Sequence, residues 1–165
     1  MPAEPLELTI PSVVHAHRGS ERFNWGYGNR LHLRAYTVKR EVEAIIVDAE
    51  ELLGKALEEM SVNLRDAAEK AWGATVRATD ALILARYGET PKSMRDRRER
   101  LGELILQEPE LDKLGLWERL HSRESSLHVS CFYDGECRPA EVIKRKILET
   151  KNYIGDIKNL IATLK

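Results

Sequence analysis

From about Leu33 onward, apolar residues recur every three or four positions, and that period dictates helices. Val38, Val42, Ile45, Ala49, Leu52 and Ala56 form one stripe, with Glu43, Glu50, Glu51 and Glu58 on the opposite side. Such a pattern gives a helix one buried and one solvated face. A second helix is expected over about 63–87, with Ser61 or Asn63 as its cap. Its stripe of Leu64, Ala68, Ala71, Thr75, Ala78, Leu82 and Ala85 is dominated by small residues, and Trp72, Val76, Ile83 and Tyr87 line a second flank. Small side chains let a neighbouring backbone approach closely, and a helix apolar on two sides needs neighbours on both, so this one belongs at the centre. Gly88 and Pro91 supply the stop.

Ser93 caps a third helix, buried through Leu101, Leu104 and Ile105. Glu108 to Glu110 reads as a turn, and a fourth helix is expected over about 110–131. Asp134-Gly135 is a turn signal. Arg138-Pro139-Ala140 opens a fifth helix whose stripe is Ile143, Ile147, Thr150, Ile154, Ile157, Ile161 and Leu164. The fold class is therefore all-α, an antiparallel bundle of about five helices over residues 37–165.

Residues 1–36 read differently, as an extended N-terminal arm. Leu6, Leu8 and Ile10 alternate with polar residues between Pro5 and Pro11, a short strand signal with edge punctuation. Arg22 to Arg30 mixes Phe23, Trp25 and Tyr27 with glycines and arginines. It reads either as a base-stacking loop or as an aromatic staple fixing the arm to the bundle.

At 165 residues the chain is long enough for one core. Its net charge of −1 neither requires nor excludes nucleic acid. No run reaches the roughly 18 apolar residues of a membrane span, and no basic flank precedes an apolar segment, so a cytoplasmic protein without membrane contact is expected. Cys131 and Cys137 flank the predicted Asp134-Gly135 turn. They either pair or remain one buried and one exposed thiol, the second being the ordinary intracellular outcome.

Chemistry concentrates in Leu116 to Tyr133, which holds two histidines, two arginines, four serines and a cysteine. On an α-helix, Leu114, Trp117, His121, Glu124, His128 and Cys131 share one line, and Leu116, Leu120, Arg123 and Leu127 another. Arg123 and His128, five apart, diverge by roughly 140°. They converge on one ligand if the arginine curls round, if the helix loosens near Ser125-Ser126, or if a groove or second subunit joins them. Three plainer readings compete: a zinc site of His121, His128 and Cys131, a structural pairing of Arg123 with a buried carboxylate such as Glu69, and histidines that merely complete the core. Arg95, Arg97 and Arg98 at the start of the third helix are candidate RNA-binding residues, or else a solvated ridge paired with the acidic first helix.

Arg123 to His128 resembles the Arg-x4-6-His signature of the HEPN superfamily. The wider run to Tyr133 and the blocks Ala67 to Trp72 and Ala78 to Leu82 are similar to its archaeal PaREP branch. The resemblance covers about residues 37–165. It implies an HEPN-like antiparallel bundle, a homodimer with a shared cleft, and an RNA-acting protein, as either a metal-independent endoribonuclease of toxin or defence type or a non-catalytic nucleotide- or RNA-binding scaffold. It implies neither cofactor nor metal, and it allows an antitoxin partner of nucleotidyltransferase type. The catalytic residues would be Arg123, gripping phosphate through its forked donors, and His128, moving protons. His121, Glu124 and Tyr133 would support them. Active relatives commonly place Asn, Asp or His directly after the arginine, where this chain has Glu124, a carboxylate that repels phosphate unless it orients a histidine.

Overall fold

The computed structural model describes residues 25–163. Six α-helices and one π-helical segment account for nearly all of them, with no strand among the described residues. The helices are α1 Trp25–Glu59, α2 Leu64–Tyr87, α3 Met94–Gln107, α4 Pro109–Lys113, α5 Leu116–Arg123 and α6 Ala140–Ala162. The π-helical segment, Glu124–Tyr133, continues α5.

α1 and α2 form an antiparallel hairpin, tied across by the ion pairs Lys70–Glu59 and Arg77–Asp48. α2 is the central element. Its Ala67, Ala68, Ala71, Ala74, Thr75, Ala78, Ala81 and Leu82 are fully buried, and α1, α6 and the π-helical segment all pack on it. The stripe of small residues does what its sequence implies: several backbones approach one helix closely. Asn63 and Ser93 accept hydrogen bonds from the backbone N–H of Asp66 and Asp96, capping α2 and α3. Gly88, in the left-handed region at φ 75°, closes α2 with a bond from its N–H to the Leu84 carbonyl.

Two boundaries depart from expectation. α1 begins at Trp25, so residues 25–36 are helical rather than part of an extended arm. No proline lies between residues 12 and 90, and Gly26 and Gly28 weaken a helix by about 1 kcal/mol each without forbidding it. No side chain from Arg30 to Glu41 is buried, which explains why the stripe does not register the helix before Val38. The strand signal at 6–10 and residues Arg22 to Asn24 lie outside the described residues, as does Leu164.

The expected fourth helix is three pieces. Gly115, at φ 60°, breaks α4 from α5, and α5 passes into the π-helical segment at Glu124. Close packing of α3 on α5 depends on Gly102, where an added Cβ would stand 3.1 Å from the Trp117 ring.

Candidate functional site

The π-helical segment is the local anomaly from which the site is built. A π-helix bonds each N–H to the carbonyl five residues back, a winding seldom sustained beyond a turn and frequent at functional sites. Here it is held from outside. The Arg65 guanidinium donates to the carbonyls of Phe132 and Tyr133 at its end. Glu124 at its start is ion-paired with Arg98 of α3. The Ser126 hydroxyl donates back to the Ser122 carbonyl, the kind of local bond that competes with regular helix. Cys131 of the segment forms a disulfide with Cys137 beyond it. The pairing outcome thus holds, and the expectation of one buried and one exposed free thiol does not. It also removes Cys131 as a thiolate ligand, so the zinc triad with His121 and His128 is not available in this state.

This winding changes which residues share a face. The wider turn narrows the angle between Arg123 and His128 relative to an α-helix without joining them: Arg123 is buried over Tyr153, and His128 stands beside Glu69 and Tyr133. The loosening near Ser125-Ser126 is what the structure contains. The segment buries Leu127 and Cys131, so Cys131 joins the line of Leu116, Leu120, Arg123 and Leu127 instead of that of His128.

His128 Nδ1 lies 2.7 Å from Glu69 Oε2 of α2. A carboxylate oxygen accepts, so the ring carries its proton on Nδ1 and keeps Nε2 free for chemistry. The ring stacks on Trp72 at 5.6 Å and meets Tyr133 edge-on at 4.9 Å, with Phe132 at 6.3 Å. Both partners of the dyad are partly exposed. A half-open histidine, oriented by a carboxylate and framed by aromatic faces, can exchange a proton with a bound ligand and stack a planar group beside it.

Arg123 is placed differently. It is 4% exposed, its guanidinium stands 5.3 Å over the Tyr153 ring, and Nη1 donates to the Arg119 carbonyl at 3.3 Å. Nε has no hydrogen-bond partner. Burial, and then the neighbouring Arg119 charge, hold the guanidinium below the usual arginine range. Glu69 does not pair with it as the structural reading supposed, because that carboxylate is taken by His128. Tyr153 is itself fully buried and donates to the Thr79 hydroxyl, which in turn donates to the Thr75 carbonyl.

The remaining candidates are dispersed. The arginines of α3 are not a free ridge: Arg97 makes a bidentate pair with Asp80 of α2 in which both side chains are about nine-tenths buried. Arg98 is held by Glu124, and Arg95, 87% exposed, pairs with Glu99 of its own helix. None pairs with α1, because α3 packs on α2 and α5 instead. Glu124, directed at Arg98, orients neither histidine. His121 donates from Nδ1 to the Trp117 carbonyl at 2.9 Å and lies against the Trp117 ring, 4.3 Å away. Tyr133, 65% exposed, is the one supporting residue that touches His128.

Glu69 as the partner of His128, and Trp72 as its stacking surface, escaped the sequence reading. Their three-residue spacing put them on one face of α2, but nothing local pointed that face at the π-helical segment. Among the described residues, no group of three or more His, Cys, Asp or Glu is arranged to hold a metal ion, and no helix is long and apolar enough to cross a membrane. No protein-family model matches this chain, and neither does any curated protein or solved structure.

Proposed function

We propose that this chain is an HEPN-type RNA-acting protein, a metal-independent endoribonuclease working as a homodimer, with His128 as its proton-transfer group. The His128–Glu69 dyad carries the reading. Its geometry supplies a base at Nε2 for a ribose 2′-OH. Nε2 takes the 2′-OH proton as that oxygen attacks the adjacent phosphorus, and the imidazolium so formed gives a proton to the 5′-oxygen as its bond to phosphorus breaks, leaving a 2′,3′-cyclic phosphate and a free 5′-hydroxyl. Tyr133 and Phe132 border the ring where a base adjoining the scissile phosphate would stack, with the buried Trp72 backing the ring from the core. A nucleotidyltransferase-type antitoxin is the accompanying partner in this reading.

Incubation of the purified protein with labelled single-stranded RNA in chelator tests it. Cleavage leaving cyclic phosphate ends is expected. His128→Ala should lower the rate by roughly 10² to 10⁴-fold, the usual span for general acid–base catalysis, with its melting temperature near that of the wild type. Glu69→Ala should give a smaller loss. Undiminished cleavage by His128→Ala would exclude the assignment.

The burial of Arg123 away from Glu69 favours a second reading, a non-catalytic RNA- or nucleotide-binding scaffold. In that case the wild type binds RNA without cutting it.

A further inference from the structure

Arginines mostly buried in this bundle come with carboxylates: Arg86 with Glu108, Arg97 with Asp80, Arg100 with Asp96. Arg123 breaks the pattern. It is the most deeply buried of them, has no ion pair among the described residues, and leaves Nε unpartnered. Burial penalises a guanidinium that has no ion pair, and the only carboxylate pull that offsets it, from Glu149, is outweighed by burial and the Arg119 charge. The Tyr153 ring returns a part of the burial penalty through its face, and the same ring already faces Arg119 at 5.1 Å.

A second cation adjoins it. Lys146 of α6 is half-buried and donates from Nζ to the Ser122 hydroxyl. No carboxylate pairs with it among the described residues. Burial and then the Arg123 charge hold its ammonium below the usual lysine range, against an opposing pull from Glu149. Ser122, accepting from Lys146, keeps its own proton to donate. One exposed hydroxyl, one half-buried ammonium and one buried guanidinium therefore line the α5–α6 seam with donors and with two positive charges that share the pull of the single carboxylate Glu149 and form no ion pair among the described residues.

We propose that Ser122, Lys146 and Arg123 form a phosphate-binding site at this seam, in which Lys146 and Ser122 contact the anion and Arg123 supplies the charge behind them. A phosphate group matches the set because its several oxygens accept from ammonium, hydroxyl and guanidinium donors together. The identification of the larger ligand as RNA rests on the proposed function. Phosphate binding itself does not, and it assigns roles to Lys146 and Ser122 that the Arg123–His128 motif leaves open.

Calorimetric titration of the full chain tests the site with two probes: inorganic phosphate, and a short 2′-O-methyl oligoribonucleotide that cannot be cleaved. Both should bind the wild type if the seam serves a backbone phosphate, and inorganic phosphate alone if it serves a free anion; either result supports the site. Lys146→Ala should weaken binding at least about tenfold, the loss of one charge-assisted hydrogen bond. Lys146→Arg should restore most of it, and His128→Ala should bind like the wild type whether or not RNA is cut. Failure of the wild type to bind either probe, or equal affinity in folded Lys146→Ala, overturns the inference. A wild type that binds phosphate but never cleaves RNA removes the nuclease reading and leaves the site standing.

Discussion

Arg123 and His128 stand five positions apart in the chain, yet their surroundings are opposite in kind. His128 is half-open and has its carboxylate. Arg123 is closed over by the core and makes no ion pair among the described residues, with Glu149 pulling on it only from a distance. Burying a charge without a partner is unfavourable, so stability alone would favour an apolar side chain of similar volume at 123. Arg123→Met therefore makes a sharp test. Its melting temperature should equal or exceed that of the wild type, while cleavage and phosphate binding fall. A drop of many degrees would instead make Arg123 a structural tie to Tyr153 and Arg119. The motif was legible in the sequence; the asymmetry between its two members was not, because burial is set by neighbours that the local pattern does not name.

At the scale of elements, the stretch after α5 is wound as a π-helix, and contacts from elsewhere hold it. Arg65 of α2 holds its last carbonyls, Arg98 of α3 holds Glu124, and the disulfide joins its end to the following turn. Helical period in the sequence predicted one straight helix over 110–131. It missed both Gly115 and the π winding, which stands by virtue of these remote clamps. Closure of a loop as small as that between Cys131 and Cys137 is worth about 2 kcal/mol in the chain-entropy account. Reduction, or the Cys131→Ser/Cys137→Ser pair of changes, should thus lower Tm by roughly 4–8 °C. Thermal melts with and without a dithiol measure this, and the double variant should be indifferent to the dithiol. Equal melts for the oxidised and reduced wild type would mean that the bridge contributes nothing to the fold.

For the whole molecule, the question is whether one copy suffices. Within a copy, Arg123 faces Tyr153 and the α5–α6 seam, while His128 faces Glu69 and Trp72, and no contact joins the two. A two-fold dimer can set the arginine of one copy beside the histidine of the other. Mixed dimers of Arg123→Met and His128→Ala then regain one intact site out of two. Random exchange makes half of the dimers mixed, so roughly a quarter of wild-type cleavage should return on co-expression. Activity no higher than that of either parent would confine each site to a single copy.

The sequence by itself determined that this chain is helical, where most helices start and stop, and which faces they bury. Each of those depends on periods of three to four residues and on capping residues a few positions away, all local in the chain. Tertiary structure decided the pairings: Glu69 with His128 and not Arg123, the α3 arginines with Asp80 and Glu124 and not α1, Cys131 with Cys137. It also decided the π winding, which leaves Arg123 over Tyr153 and sets His128 beside Tyr133. A partner is chosen by the rotation and offset of one helix against another, and a turn of about 100° per residue is enough to exchange it. No local pattern in a single chain encodes a rotation that fine.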